Sequence, residues 1–335
     1  MTRVLSAAAV LSLGGCAAAP GGYLGPGGGT GSAMLHPLAI GFTAIALVVT
    51  AIIAAAIAVA VIRSRRAAAE QGEIVARGPG GLNWIGWGVG LSFPVIVAMA
   101  VWSFGVTRAV GKTPPDTPLL VEVTAHRWWG EVRYRGEVAA DDFTTANDII
   151  VPTGRPVRLI LRSGDVIHDF WVPKLGPKMD MIPGKVNQLV LEAAAPGTYL
   201  GECAEFCGLE HGMMRFHVTA VDPPGFARWA AATRAPAVVA DPAVPRNLTG
   251  EAKFAAACSS CHEVRGTLYG GVLGPDLTHF ASRTTIAAGV MPNTPAMRTE
   301  WLAHTQQVKP GAVMPLVPMT GAERAAVVAY LGELS

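Results

Sequence analysis

Charge is scarce in this 335-residue chain. Asp, Glu, Lys and Arg make up 15% of it, apolar residues 51%, and the formal net charge is only +2. So weak a balance leaves no electrostatic footprint for nucleic acid. There is also no basic run interleaved with aromatics, no zinc-finger spacing and no phosphate-binding loop. Nucleic-acid and nucleotide partners are therefore not expected, and the Gly27-Gly28-Gly29 cluster, which follows no strand, reads as tether. Cysteine is scarce too. Cys16, Cys203, Cys207, Cys258 and Cys261 fall in three motifs that give each a task, and none is left for a disulfide framework.

What the chain has in quantity is apolar length, the mark of a membrane protein with soluble parts. Arg3 and the apolar residues 4–13 read as a signal peptide, too short to span a bilayer. The stretch ends Leu13-Gly14-Gly15-Cys16, which resembles the bacterial lipobox, whose cysteine is acylated. The alternative is an ordinary signal peptide with an incidental cysteine. Residues 1–15 are thus expected to be a lipoprotein-type signal and residues 16–34 a flexible tether. Residues 35–112 form a transmembrane hairpin, with spans at about 38–62 and 84–106 that lack Asp, Glu and Lys. Trp84, Trp87 and Trp102 sit near span ends, as an interfacial belt requires, and Pro94 is placed to kink the second span. Arg63, Arg65, Arg66 and Arg77 between the spans put that loop in the cytoplasm and everything after Gly111 outside.

From residue 113 to 222 the texture changes to short β-rich runs between Gly/Pro turns. Residues 119–125, 157–163, 187–192, 197–201 and 214–221 are the expected strands of a β-sandwich. At its end stands Cys203-Ala204-Glu205-Phe206-Cys207-Gly208-Leu209-Glu210-His211-Gly212-Met213-Met214, with His168 upstream. Two thiolates, two imidazoles and a thioether form a copper set. Zinc would leave the methionine and Glu205 idle, and a disulfide across four residues would be strained and leave the histidines without a task.

Residues 223–247, rich in Ala and Pro, read as a semi-rigid linker with one short helix around Trp229. Residues 248–335 form a helical unit. Thr249 is the expected cap of a helix running into Cys258-Ser259-Ser260-Cys261-His262, the C-x-x-C-H signature of c-type haem attachment. Cys258 and Cys261 would form thioethers and His262 would bind the iron. Residues 322–334 are an amphipathic C-terminal helix. His217 alternates into a strand, and His279 and His304 have no assigned ligand role.

The cysteine–histidine–methionine loop resembles the dinuclear copper A domain of cytochrome c oxidase subunit II. The likeness runs from about residue 35 to 222 and includes Asp165-Val166-Ile167-His168 and Met181-Ile182-Pro183-Gly184-Lys185-Val186-Asn187-Gln188. It implies that Cys203 and Cys207 bridge two coppers and that His168 and His211 are terminal ligands. Met214 and the Glu205 carbonyl would be weak ligands, and the Glu205 side chain would reach a magnesium ion shared with subunit I. His126-Arg127-Trp128-Trp129 resembles the family's aromatic patch, which makes Trp128 the place where electrons enter. Gly274-Pro275-Asp276-Leu277 and Lys309-Pro310-Gly311-Ala312-Val313-Met314-Pro315 resemble loops of class I cytochrome c, the second of which points to Met314 as sixth iron ligand, with Met291 as its rival.

The whole resembles the caa-type oxidases: a two-helix membrane hairpin, a cupredoxin-like β-sandwich and an all-α class I cytochrome c domain, in the bacterial plasma membrane with both soluble domains on the outer face. Implied partners are oxidase subunits I and III and a cytochrome c or upstream respiratory complex as donor. Implied chemistry is reduction of dioxygen coupled to proton translocation. A nitric oxide reductase subunit and a tethered electron carrier are the alternatives. One departure stands out. Residues 82–87 carry no acid where many members have one at the start of the second span, and Glu70 and Glu73 are out of register.

Overall fold

The computed structural model describes residues 28–71, 81–112, 117, 119–136, 138, 141–237 and 247–335. Cys16, the signal-peptide reading, Glu73 and Arg77 lie outside these. Two units separate: residues 33–112, and a soluble unit that contains residues 113–335.

The first unit is helical. α1 (Thr30–Gln71) and α2 (Gly81–Val110) contain the expected spans and run past them at both ends. Both are long and apolar enough to cross a membrane, and their most apolar stretches are unburied by protein. Within the unit Trp102 faces α1, its ring centroid 6.4 Å from that of Phe42.

In the soluble unit, apolar alternation dictates a sandwich. β1 (Leu119–His126) buries Val121, Val123 and Ala125 on one face, and β5 (Val157–Ser163) buries Val157, Leu159 and Leu161. β1 pairs antiparallel with β2 (Trp129–Arg135) and parallel with β5. With β3 (Phe143–Ala146) and β8 (Asn187–Leu191) these make a five-stranded sheet in the order β3-β2-β1-β5-β8. The facing sheet runs β4-β10-β9, from β4 (Asp148–Pro152), β9 (Gly197–Glu202) and β10 (Arg215–Val221). A small ladder of β6 (His168–Phe170) and β7 (Met179–Met181) closes one end. The Tyr134 hydroxyl bridges the sheets: it donates to the Ile150 carbonyl at 2.9 Å and accepts from the Ile150 amide at 2.7 Å.

One expectation is corrected here and one is met. Residues 28 and 29, expected within a flexible tether, are held: Gly29 N donates to Lys174 O and Ala194 N donates to Gly28 O, both at 2.8 Å. The short helix expected around Trp229 is α3 (Pro223–Arg234), and it packs onto the sandwich. Phe226 and Trp229 seat it on Tyr134 and Phe143, with Trp229 edge-on to both rings at 5.0 and 5.6 Å.

The cytochrome-like part holds α4 (Leu248–Ala257), α5 (Pro295–Val308) and α6 (Gly321–Glu333), with a two-stranded ladder of β11 (Thr285–Ile286) and β12 (Met291–Pro292). Asn247, not Thr249, caps α4. Its side chain accepts from Gly250 N and donates to Ala326 O in α6. Glycine at 250 lets the helices cross closely, since a Cβ there would lie 2.2 Å from the Ala326 carbonyl oxygen. Phe254 and Tyr330 pack across that crossing, ring centroids 5.3 Å apart.

Replacing Tyr134 with Phe should leave the half-buried Ile150 amide without its partner. It should lower stability by about 1–3 kcal/mol, read as a lower urea midpoint at nearly unchanged m-value. An unchanged midpoint would show that the hydroxyl is not a sheet-to-sheet tie.

Candidate metal and haem sites

The motif loop joins β9 to β10, whose antiparallel pairing closes it at the base, where Cys203 N donates to Met214 O at 3.0 Å. Inside the loop the Cys203 and Cys207 sulfurs stand 3.7 Å apart, and both cysteines are free and buried. A disulfide needs about 2.05 Å. His168, opening β6, brings Nδ1 to 4.0 Å from the Cys203 sulfur. His211, opening a single 3-10 turn, brings Nδ1 to 3.6 Å from the Cys207 sulfur. The Glu205 carbonyl oxygen is 3.2 Å from the Cys203 sulfur, while the Glu205 side chain is exposed. Met214 is fully buried in the same core cluster as both cysteines.

Electrostatics favour one thiolate. A hydrogen bond from the Cys207 thiol, helped by His168, pulls Cys203 down to about 3 against the effect of burial. The same bond, with burial, holds Cys207 far above the ordinary thiol range, so the pair shares one proton. Burial alone would lower His168, but its bonds to Cys203 and Asp165 outweigh that and raise it. His168 Nε2 donates to Asp165 Oδ1 at 2.8 Å. Asp165 in turn accepts from the Arg127 and Val166 amides at 2.8 and 2.7 Å. With Nε2 committed, Nδ1 is the nitrogen offered to the sulfurs, the second-shell device that sets a ligand's tautomer. Soft sulfur and imidazole donors gathered around two buried cysteines fit copper.

Trp128 borders this cluster. It is 6% exposed, and its Nε1 donates to the Cys207 carbonyl at 3.1 Å. Trp129 lies outside it and stacks on His126 with ring centroids 4.7 Å apart.

On the other face of Trp128 opens a cavity of about 410 Å³, lined by Cys258, Cys261, His262 and Met314 and by apolar side chains of α4, α5 and α6. His262 Nδ1 donates to the Pro275 carbonyl at 2.8 Å, which leaves Nε2 as the free ring nitrogen. Burial lowers the His262 pKa and keeps the ring neutral. Glycine at 274 permits this contact, since a Cβ there would lie 2.6 Å from the imidazole. The attachment cysteines, a neutral imidazole and an apolar cavity of this size fit a c-type haem. Met314 lines the cavity; Met291 packs in the domain core and is not among the lining residues.

Several participants escape sequence reasoning. Asp165 and the Pro275 carbonyl orient the two histidines, yet nothing in spacing announces either role. Arg283 and Arg298 bring guanidinium groups to the cavity wall. Lys309 is 3% exposed and joins the two domains, and burial lowers its pKa to about 8. His279 Nε2 sits 2.9 Å from the Ala235 carbonyl, at the junction behind α3. His217 faces Asp148 at 3.5 Å.

A sulfur–imidazole loop on a β-sandwich, followed by a helical domain with a C-x-x-C-H pocket, defines a class: an electron-transfer protein joining a copper domain to a c-type cytochrome. Residues 131–221 match the family cytochrome c oxidase subunit II, periplasmic domain, and residues 248–335 match cytochrome c. The chain therefore carries an oxidase subunit II periplasmic domain with a cytochrome c domain fused behind it, and these two domains imply a dinuclear copper A centre and covalent haem c.

It is 36% identical over 221 residues to cytochrome c oxidase subunit 2 of Alkalihalophilus pseudofirmus, covering 65% of this chain and 62% of that protein. It is 32% identical over 220 residues to that of Bacillus sp. strain PS3, covering 61% and 58%. A crystal structure of the periplasmic domain of subunit II of cytochrome oxidase of Bradyrhizobium japonicum is 27% identical with a TM-score of 0.34, covering 36% of this chain and 97% of that one. The matched region spans 49% to 62% of the first curated relatives' lengths.

Cys203→Ser and Cys207→Ser should each abolish a mixed-valence copper spectrum, because an alkoxide cannot replace a shared sulfur. A normal two-copper signal in either variant would show that the thiol pair is not the copper site.

Proposed function

We propose that this chain is subunit II of a terminal haem–copper oxidase of the caa type. It accepts electrons from a cytochrome c donor or an upstream respiratory complex at its own haem domain and delivers them to subunit I. There dioxygen is reduced to water with proton translocation, and subunit III completes the assembly. The observation that carries this reading is Trp128, whose side chain borders both the haem cavity and the carbonyl of Cys207.

Cys203 and Cys207 would bridge the two coppers, with His168 and His211 as terminal ligands and Met214 and the Glu205 carbonyl as weaker ones. Cys258 and Cys261 would carry the haem, and His262 and Met314 would bind its iron. Both groups, when bound, supply reversible one-electron acceptance with little ligand movement. The residues do the rest: they fix ligand tautomers, exclude water and hold the two sites close. The exposed Glu205 carboxylate is the proposed reach toward a magnesium ion at the subunit I interface. The proposed setting is the bacterial plasma membrane, with α1 and α2 both spanning it, Arg63, Arg65 and Arg66 inside, both soluble domains outside and Cys16 acylated.

Oxygen uptake by the purified complex with reduced cytochrome c is the direct test. Nitric oxide consumption without oxygen uptake would transfer the chain to a nitric oxide reductase, and neither activity would leave a tethered carrier. Tethering a donor domain replaces diffusional docking with a high effective concentration. Replacing His262 should therefore slow oxidation of an external donor by roughly a hundredfold, the lower end of what tethering provides, while the copper spectrum persists. Unchanged turnover would show that donors reach the copper domain directly.

Which methionine would hold the haem iron is tested by substituting Met314 and Met291 in turn. Met314→Leu should remove the sulfur-to-iron absorption band and lower the haem potential, whereas Met291→Leu should do neither. The reverse pattern would move the ligand to Met291.

A further inference from the structure

The cytochrome c domain is locked to the copper domain by one buried cation. Lys309 opens the methionine loop, and its Nζ donates to the Trp128 carbonyl at 2.7 Å, the Met213 carbonyl at 3.1 Å and the Ala287 carbonyl at 3.1 Å. An ammonium has three donors, and here each has an acceptor. Two acceptors belong to the copper domain, Trp128 in the β1–β2 turn and Met213 within the cysteine loop, and the third to the cytochrome c domain.

The surroundings are shaped to the same contact. Ala287 and Ala288 are consecutive non-glycine residues at φ 54° and 60°, a left-handed conformation that L-residues adopt at a cost. That conformation accompanies one bond within the domain and one across the junction: the Ala287 carbonyl meets Lys309, and the Ala288 carbonyl accepts from the Arg215 amide of β10 at 3.3 Å. Gly311, two residues past Lys309, lies so close that a Cβ on it would be 3.4 Å from the Trp128 ring. At the far end of the junction Arg265 donates to the Thr144 and Thr233 carbonyls at 3.1 and 2.5 Å.

We propose that Lys309 is a positioning residue for electron transfer: its ammonium bolts the methionine loop onto the aromatic patch, holds Trp128 as the shared wall between haem cavity and Cys207, and closes that tryptophan to soluble donors. This deepens the oxidase-subunit reading and rests on it for the electron-transfer part alone; the bolt itself is a matter of geometry. A lysine is suited to this cage of carbonyls because its ammonium is compact, where a planar guanidinium would need a fork of acceptors. Loss of the bolt should shift the loop by the ångström scale at which misplacement lowers rates by orders of magnitude.

The test uses the full chain loaded with copper and haem, comparing wild type with Lys309→Met and Lys309→Gln. Glutamine keeps two donors of the three; methionine keeps none. Two quantities are read: the haem-to-copper equilibration rate after flash reduction of the haem, and hydroxyl-radical footprinting of Trp128. Both metal spectra serve as a check that the domains are intact. The expected result is a rate lower by roughly tenfold to a hundredfold in the methionine variant, an intermediate rate in the glutamine variant, and a rise in Trp128 labelling in the same order. Wild-type rate and protection in the methionine variant would overturn the proposal, as would a lowered rate with Trp128 still protected. If wild type itself transferred no electron from haem to copper, the oxidase reading would fail, while the labelling order would still decide whether Lys309 is the bolt.

Discussion

The arrangement of the soluble domains turns on the environment of one indole. Trp128 donates its Nε1 proton to the Cys207 carbonyl, gives its own carbonyl to Lys309, and offers its ring to the haem cavity. A tryptophan suits this joint because one end is polar and the rest is a large rigid apolar plate. Its backbone is fixed by the β1–β2 hairpin, where His126 pairs with Trp129 across the turn that contains it. The adjoining Arg127 amide is tied to Asp165, which also holds His168. Through one short turn, the hairpin, one histidine, the cysteine loop and the second domain therefore share a single set of hydrogen bonds.

That sharing explains why the sulfur cluster can exist as a buried, unbridged pair. Two thiols 3.7 Å apart in an apolar core cannot both ionise, because each charge raises the cost of the next. The proton they share leaves one thiolate, which faces the imidazole that Asp165 holds. The donor set is thereby poised to release protons on taking up metal, as metal ligation requires. Opposite, the haem cavity uses the neutral version of the same device: a backbone carbonyl instead of a carboxylate orients His262.

How much of this could be read beforehand follows from the length scale of each signal. Five strands were legible as β-rich runs between turns, and 157–163 most plainly, because period two needs only local sequence. β2 was not, since Trp129-Gly130-Glu131-Val132-Arg133-Tyr134-Arg135 reads first as an aromatic patch with interspersed charges. β6 and β7 have three residues each, too few for any period to show. The helix around Trp229 was legible, and its start at Pro223 and Pro224 uses positions whose amides need no partner; its packing onto Tyr134 and Phe143 was not legible, because it is a long-range contact. The metal-type residues were legible as a motif because one loop supplies most of them. The contact from Lys309 to Trp128 spans 181 residues, carries no periodicity, and uses a backbone carbonyl that any residue could provide.

The same contrast bears on what fusion achieves. A flexible tether alone raises the concentration of a donor domain near its acceptor but leaves orientation to chance. Here the connection is not left to the tether. Its first stretch, α3, is packed onto the sandwich by Phe226 and Trp229, and Arg265 holds the end of that helix from the cytochrome side. Lys309 fixes the opposite edge of the contact, beside the cysteine loop. Two anchored edges with the haem cavity and Trp128 between them define an orientation, not only a proximity. Of the two gains that intramolecularity offers, proximity comes from the covalent link and orientation from a few buried polar contacts. Those contacts are the part of the design that a domain-by-domain reading of the sequence passes over.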